Sequence, residues 1–262
     1  MGLMIETIAT PILSSPEILK KLDGIKTLIC DVDYTVSDFG AGNVSGNRRI
    51  REALGDNVAN EMDIMFDLIL RGHRNLELLS ESEQREYKIL MSKVESYTPK
   101  YWCREMYLII ATKKFNMDMS PTEIMNAADV YWRGVSETLQ YYPDAVIFLN
   151  KAKELSIPLI WMTGSDSRTK VSKNYSDEWL IIYDPDYSKN KKMKRIAGLL
   201  HDFPGLIEIG DPIDKPEPEF YDTVFAHTKG ISYKDILVVG DSEVNDLENA
   251  RKRGCQTVLI KR

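Results

Sequence analysis

Features that would assign this 262-residue chain to several protein classes are scarce. Its three cysteines, Cys30, Cys103 and Cys255, are widely spaced and form no C-x-x-C pair, which argues against a disulfide framework, a cysteine zinc site or a redox motif. No apolar run approaches the roughly 20 residues that cross a bilayer, and the first residues lack the basic region of a signal peptide. We therefore expect a cytoplasmic protein with no membrane partner.

An excess of positive charge is also missing. The formal net charge is −6, which argues against binding of a phosphate backbone, so we expect no nucleic-acid partner. An acidic protein can still bind an anionic substrate where a metal ion reverses the local field. With 43% hydrophobic residues the chain can build a substantial core, although its oligomeric state is not encoded in any visible pattern.

Short apolar runs with helical patterns between most of them predict a parallel sheet covered on both faces. The runs lie at residues 25–31, 157–162, 179–183, 206–209, 236–240 and 256–260. They fall in the first and last parts of the chain, which we assign to one α/β core domain, residues 1–36 and 142–262. The stretch from Ser165 to Asp214 is long for a compact core, and its "DPDYSKNKKMK" sequence suggests an extra loop.

The middle of the chain, residues 37–141, is predicted to be an inserted helical domain. Ser80 with Glu83 and Ser120 with Glu123 fit the capping box, and apolar residues follow each cap at three-four spacing. About four helices with a small core of their own would result. The glycine-rich "GAGNVSG" at residues 40–46 is interpreted as a hinge, and the cluster Arg71, His73 and Arg74 as a solvated helix end.

Two carboxylates follow the first predicted strand. In "LICDVDYTV", Asp31 ends the apolar run and Asp33 lies two residues later. If the strand stays extended through Asp33, both side chains point to the same side at the carboxyl end of the sheet, where open parallel sheets bind ligands. We expect both to face outward and to be wetted there. A turn would explain the pair equally well.

Three later stretches strengthen the chemical interpretation. Thr163 opens "TGSDS", in which a hydroxyl and the N–H groups of Gly164 and Ser165 could bind an oxyanion. Lys215 precedes two prolines and a predicted helix. Asp241 and Asp246 bracket a strand-to-helix turn, an arrangement that suits Mg²⁺, which takes few hard oxygen ligands.

Together, these stretches resemble the motifs of the haloacid dehalogenase-like (HAD) superfamily. The first motif, D-x-D-x-T/V, is matched by Asp31, Asp33, Thr35 and Val36, and the second by Thr163. Lys215 matches the third motif, and Gly240, Asp241 and Asp246 match the fourth, G-D-x-x-x-x-D. The resemblance implies a Rossmann-like parallel sheet core with an inserted all-helical C1 cap.

The resemblance also implies a Mg²⁺-dependent phosphatase acting on a small phosphorylated metabolite. Asp31 would attack phosphorus, and Asp33 would serve as general acid and base. Thr163 and Lys215 would be catalytic and, with Gly164 and Ser165, would bind the phosphoryl group. Asp31, Asp241, Asp246 and the carbonyl of Asp33 would hold Mg²⁺ as cofactor, which offsets the charge of an anionic substrate. The family's dehalogenases lack the second aspartate of the first motif.

Alternative functions stay open at this point. A phosphomutase of the same fold would transfer the phosphoryl group to a sugar hydroxyl instead of water. A receiver domain also gathers aspartates, a Thr and a Lys around Mg²⁺, but it carries no helical insert. A non-hydrolysing phospho-acceptor or regulatory relative is the least favoured, because none of the four motifs is missing.

Overall fold

The computed structural model of the chain describes residues 13–72, 75–94 and 100–262. Contacts divide these residues into two units. The core unit comprises the described parts of Met1–Asp38, Tyr141–Thr163 and Leu199–Arg262. The helical unit comprises the described parts of Phe39–Gln140 and Gly164–Gly198.

A five-stranded sheet in the order β5-β2-β1-β6-β7 forms the centre of the core unit. Its strands are β1 (Thr27–Asp31), β2 (Leu159–Gly164), β5 (Leu206–Gly210), β6 (Ile236–Gly240) and β7 (Gln256–Leu259). β1 pairs in parallel with both β2 and β6, and β6 pairs in parallel with β7. The order reverses between β1 and β6, so the carboxyl ends of these two strands border the crevice in which such sheets bind ligands. The predicted α/β fold with a parallel sheet is confirmed.

Helices surround this sheet and supply the apolar contacts that bury it. They are α1 (Pro16–Lys20), α7 (Pro143–Glu154), α9 (Ala197–Asp202), α10 (Pro218–Ala226) and α11 (Glu248–Lys252). One core cluster joins Ile29, Ile160 and Val238 of three neighbouring strands to Phe220 and Val224 of α10. All five side chains are almost fully buried, which explains the continuous apolar runs of these strands.

The helical unit contains α2 (Phe39–Leu54), α3 (Asp56–Arg71), α4 (Glu81–Ser92), α5 (Arg104–Lys114), α6 (Pro121–Glu137) and α8 (Pro185–Arg195). Both predicted capping boxes are present: Ser80 with Glu83 begins α4, and Ser120 with Glu123 begins α6. The apolar stripes of α3, α5 and α6 are buried and form the core of this unit.

The interpretation of "GAGNVSG" as a hinge is wrong, because residues 40–46 lie inside α2. Its glycines serve close packing of α2 on α6. A Cβ added at Gly46 would overlap the ring of Tyr131, and one added at Gly134 would lie 2.9 Å from the main-chain oxygen of Ser45. These glycines were interpreted as flexible backbone, but their lack of a side chain instead allows α2 and α6 to approach each other closely. Of the predicted basic cluster, Arg71 ends α3 and forms an ion pair with Asp67, whereas His73 and Arg74 lie outside the described residues.

The second difference from expectation concerns residues 164–198, which group with the helical unit by their contacts, although Gly164 is also the last residue of β2 in the core sheet. The run at 179–183 forms β4 (Trp179–Ile182), which pairs antiparallel with β3 (Lys170–Lys173) in a separate two-stranded sheet. The expected loop "DPDYSKNKKMK" is helix α8. Asp184 as N-cap and Pro185 in the first turn are helix-start signals that were present in this stretch of the sequence.

All three cysteines are buried free thiols. Among the residues that the structure describes, no helix has the length and apolar character to cross a membrane.

Candidate active site

Asp31 is the last residue of β1, and the sheet around it determines where it lies. Cys30 pairs with Trp161 of β2 on one side and with Val239 of β6 on the other, while Asp31 itself pairs with Met162. Asp31 is 3% exposed, so the expectation of a wetted carboxylate is wrong for this residue. A buried carboxylate is costly unless its oxygens have hydrogen-bond partners.

Two donors contact the Asp31 carboxylate. Lys215 Nζ lies 2.6 Å from Oδ1, and Thr35 Oγ1 donates to Oδ2 over 2.8 Å. Each carboxylate oxygen has two lone pairs, so one donor on each fixes the group without saturating it. The geometry leaves Asp31 oriented and still able to act as a ligand or a nucleophile.

The chain turns sharply directly after Asp31. β1 ends at Asp31 and does not extend through Asp33, contrary to the assumption behind the predicted common orientation of the two side chains. Tyr34 adopts a left-handed backbone with φ 62°, and Val36 N–H donates to Val32 O over 2.9 Å. Asp33 is only half-buried and accepts a hydrogen bond from Ser37 Oγ over 3.2 Å. The turn therefore gives the two aspartates different surroundings, as two different chemical tasks require.

Lys215 links the first motif to the fourth. Its Nζ lies 2.7 Å from Asp246 Oδ1 as well as 2.6 Å from Asp31 Oδ1, and the side chain is 9% exposed. Lys215 precedes α10, which begins at Pro218, as the sequence predicted. Burial alone would lower the pKa of Lys215, but Asp246 and Asp31 raise that pKa well above its usual range. The ammonium therefore stays charged.

Asp246 reaches the sheet through an unusual turn after β6. Residues Glu243–Leu247 form a single π-helical turn, a feature often found at functional sites. Ser242 N–H donates to Asp246 Oδ2 over 2.8 Å, and the side chain of Asp246 is 1% exposed. A Cβ on Gly240, the last residue of β6, would overlap the Asp246 side chain. The glycine of the fourth motif is thus explained by the close approach of this carboxylate to the strand.

Among the described residues, the carboxylates of Asp31, Asp241 and Asp246 form a group whose ligand atoms lie within 4.8 Å of one another. Burial raises the pKa of Asp241 to about 8, and the charges of Asp31 and Asp246 add to this rise. Burial also raises the pKa of Asp31 to about 6, although Lys215 lowers it. When ionised, three carboxylates face one ammonium, so the group carries excess negative charge. Its oxygen donors and this excess fit a hard divalent cation.

Comparison with known proteins finds similarity to HAD-like hydrolases. A family model described as HAD-hydrolase-like matches residues 212–262, which include Lys215, Asp241 and Asp246. The core fold matches solved HAD structures over most of the chain, as given below. The chain is therefore similar to HAD-like hydrolases in the sequence of this segment and in its fold. No curated protein matches the chain in sequence.

Three solved structures illustrate the likeness to HAD proteins. The HAD hydrolase YfnB of Bacillus subtilis, solved with magnesium bound, is 19% identical with a TM-score of 0.55, covering 90% of this chain and 88% of that chain. A β-phosphoglucomutase of Thermotoga maritima is 18% identical with a TM-score of 0.53, covering 89% and 84%. A 2-haloacid dehalogenase of Pseudomonas syringae is 16% identical with a TM-score of 0.51, covering 90% and 86%. At these identities the likeness establishes the HAD fold alone.

The structure also gives the position of the second HAD motif. Thr163 and Gly164 are the last two residues of β2, one and two positions beyond the partner of Asp31, and Thr163 is 1% exposed. Ser165 lies in the helical unit, where its hydroxyl accepts from Ser167 N–H over 3.2 Å and lies 3.4 Å from Lys100 Nζ. The Ser165 hydroxyl thus has partners within the helical unit, and the predicted contribution of Ser165 to phosphate binding is that of its main-chain N–H. The roles of all three residues remain predictions.

Several residues that hold the chain around this site were not identified from the sequence. Arg262 donates to Thr35 O over 2.8 Å and forms an ion pair with Asp144. Tyr221 Oη donates to Asn245 O beside Asp246. Neither residue belongs to a motif, and α10 periodicity indicates only that Tyr221 is buried. The role of Thr35 in orienting Asp31 was likewise unassigned, although its place in the first motif was a usable signal.

Proposed function

We propose that this protein is a Mg²⁺-dependent phosphatase that hydrolyses a small phosphorylated metabolite through an aspartyl-phosphate on Asp31. The observation that carries the proposal is the meeting of Asp31, Asp241 and Asp246 within 4.8 Å, with Lys215 in contact with two of them. Such a group can bind a divalent cation and present a nucleophilic carboxylate beside it.

In this proposal Asp31 attacks the phosphorus atom, and its oxygen forms a bond to phosphorus while the bond to the leaving oxygen breaks. Thr35 and Lys215 keep the attacking carboxylate in one orientation. Asp33, in its less buried position, donates a proton to the leaving oxygen and later accepts one from the hydrolytic water. Water then cleaves the phosphorus–oxygen bond to Asp31 and releases inorganic phosphate.

Charge explains why a cation belongs to the proposal. A phosphomonoester carries about −2 at neutral pH, and the three carboxylates carry −3 when ionised against +1 on Lys215. Asp31, Asp241, Asp246 and the carbonyl of Asp33 would hold Mg²⁺, which supplies charge neutralisation at the phosphoryl oxygens. Thr163 and Gly164, at the end of the neighbouring strand, are proposed to bind the phosphoryl group.

Phosphomutase activity is the second candidate, because a β-phosphoglucomutase is among the structures with this fold. It differs only in the acceptor, a sugar hydroxyl in place of water. We also propose a cytoplasmic location, with no nucleic acid or membrane partner, on the sequence grounds given above.

Release of inorganic phosphate from a panel of phosphomonoesters, with Mg²⁺ and with a chelator, tests the proposal. We expect multiple turnovers that require Mg²⁺, and the Asp31→Asn variant as the matched control with no turnover. Transfer to an added sugar phosphate without phosphate release would favour the mutase. Absence of both activities over a broad panel, with Mg²⁺ present, would count against either function.

A further inference from the structure

The segment that directly follows Thr163 and Gly164 is anchored in the helical unit. Residues 165–169 are all at most 5% exposed. Trp102 Nε1 donates to Ser165 O over 3.2 Å, Lys100 N–H donates to Ser167 Oγ over 2.8 Å, and Arg168 N–H donates to Ser188 Oγ over 3.2 Å. The strand that carries the proposed phosphate-binding residues thus continues without a break into a firmly held segment.

Asp166 adds buried ion pairs to these attachments. Arg195 donates to both of its carboxylate oxygens, with Nε at 3.2 Å from Oδ1 and 2.9 Å from Oδ2, and Nη2 at 2.7 Å from Oδ1. Lys192 Nζ lies 3.5 Å from Oδ1. The exposed fractions of the three side chains are 5% for Asp166, 2% for Arg195 and 1% for Lys192. A guanidinium that contacts both carboxylate oxygens fixes direction as well as distance, because its donors form a rigid plane.

The basic partners of Asp166 come from the last turn of α8. Lys192 and Arg195 are three residues apart, so they lie on one face of the helix. Their positive charges also suit the negative end of the helix dipole. The last turn of α8 therefore carries two cationic side chains that bind the carboxylate of Asp166.

We propose that Asp166 is a positioning residue for phosphate binding. Its ion pairs with Arg195 and Lys192 hold the 165–169 segment on α8, and through the covalent chain they fix the main-chain N–H groups of Gly164 and Ser165. This inference rests on the proposed function, in which those groups bind the phosphoryl oxygens.

A purely structural ion pair is the competing explanation, and the chain offers a matched control for it. Glu83 is a buried carboxylate of the same unit, 3.0 Å from Lys114 Nζ, and its recorded contacts are with α3, α5 and the Ser80 cap. Glu83→Gln removes a buried charge, as Asp166→Asn does, without touching the 165–169 segment. Arg195→Lys keeps the charge of the partner but loses the planar donor set.

The test compares these variants by steady-state kinetics, by inhibition with inorganic phosphate, by melting temperature and by amide hydrogen exchange, all at saturating Mg²⁺. For Asp166→Asn we expect KM and the inhibition constant of phosphate to rise about tenfold or more, with a smaller change in kcat. Arg195→Lys should give an intermediate rise. Glu83→Gln should lower the melting temperature while leaving both constants within about twofold.

Amide exchange separates failure of this inference from failure of the proposed function. We expect faster exchange at residues 164–169 in Asp166→Asn and in Arg195→Lys, but not in Glu83→Gln. If the wild type shows no turnover, the proposed function fails and exchange alone decides the positioning role. Unchanged exchange at residues 164–169, or an active Asp166→Asn enzyme with unchanged KM and phosphate inhibition, would overturn the inference. Arg195→Lys provides the decision if Asp166→Asn does not fold.

Discussion

Two groups of charged side chains in this molecule differ in their balance of positive and negative charge. In the core unit, ligand atoms of Asp31, Asp241 and Asp246 lie within 4.8 Å of one another, and Lys215 contacts Asp31 and Asp246, so negative charge is in excess. In the helical unit, two buried carboxylates face guanidinium groups directly: Glu105 lies 2.6 Å from Arg168 and Asp166 lies 2.7 Å from Arg195. Asp31 and Asp246 are as deeply buried as these pairs, so solvent alone does not explain the difference.

An unbalanced group of carboxylates is suited to binding a cation, whereas balanced ion pairs are suited to holding the chain in place. Repulsion between unbalanced carboxylates destabilises the folded state, and binding of a cation relieves it. Paired charges satisfy each other and gain fixed geometry, although their net contribution to stability is small after the cost of desolvation.

Asp31→Asn should abolish turnover, by at least about 10³-fold, because an amide cannot act as the nucleophile. The variant keeps the shape of the side chain and removes one of the repelling charges, so its melting temperature should stay within about 4 °C of the wild type. Phosphate release and a thermal melt measure the two quantities. Substantial remaining activity would show that another group attacks phosphorus.

Asp241→Asn should weaken Mg²⁺ binding by about 10²-fold or more, because it removes one of three carboxylate ligands. Titration calorimetry measures the affinity, and the Mg²⁺ concentration for half-maximal activity should rise in parallel. Glu105→Gln, which breaks a balanced pair in the helical unit, is the control and should leave Mg²⁺ affinity unchanged. Equal affinity in Asp241→Asn and wild type would remove Asp241 from the site.

Gly240→Ala should move Asp246 away from the strand, because the added methyl group occupies the space of that side chain. We expect Mg²⁺ affinity to fall about tenfold and the free energy of unfolding to fall by about 1–3 kcal/mol. Calorimetry and chemical denaturation measure the two effects. Loss of stability with unchanged Mg²⁺ affinity would mean that Asp246 is not held by this contact.

Without bound metal, the free energy of unfolding should depend on pH, and Asp241 should cause part of that dependence. Its pKa rises on folding from 3.8 to about 8, so between these values the folded state binds more protons than the unfolded state. Stability from this group therefore falls as pH rises through that range. In chelator, the stability of Asp241→Asn relative to wild type should increase from about pH 4 to pH 8, and urea unfolding at several pH values measures it. A constant difference would contradict the raised pKa.

Gly46→Ala should affect stability alone. Its methyl group would overlap the Tyr131 ring where α2 packs on α6, costing about 1–3 kcal/mol. A hinge glycine would instead alter kcat and KM, because closure would change. Unchanged kinetic constants in a destabilised variant would support the packing role, and altered constants with normal stability would restore the hinge interpretation.

Sequence patterns predicted the sheet and the site because both depend on local signals. The strands of the core are continuous apolar runs, and each motif residue lies at a strand end or before a helix, so parallel pairing brings Asp31, Lys215, Asp241 and Asp246 together. The capping boxes of α4 and α6 are similarly local, and both were predicted correctly.

Other features could not be predicted because they depend on distant contacts. Residues 40–46 read as a flexible glycine loop, yet Tyr131 and Gly134, almost 90 residues away in sequence, make them a helix interface. The unit to which residues 164–198 belong is decided by ion pairs such as Arg168 with Glu105. The turn directly after Asp31 contains a left-handed backbone at Tyr34, a position where no glycine signals it.

The central claim is that Asp31 receives the phosphoryl group. It is tested most directly in the Asp33→Asn variant with Mg²⁺ and p-nitrophenyl phosphate, whose good leaving group does not need the general acid that the variant lacks. The account predicts a burst of one nitrophenol per chain and, after acid quench, a phosphoryl group on the peptide that contains Asp31. Phosphorylation of a different residue, or steady turnover with neither burst nor label, would contradict it.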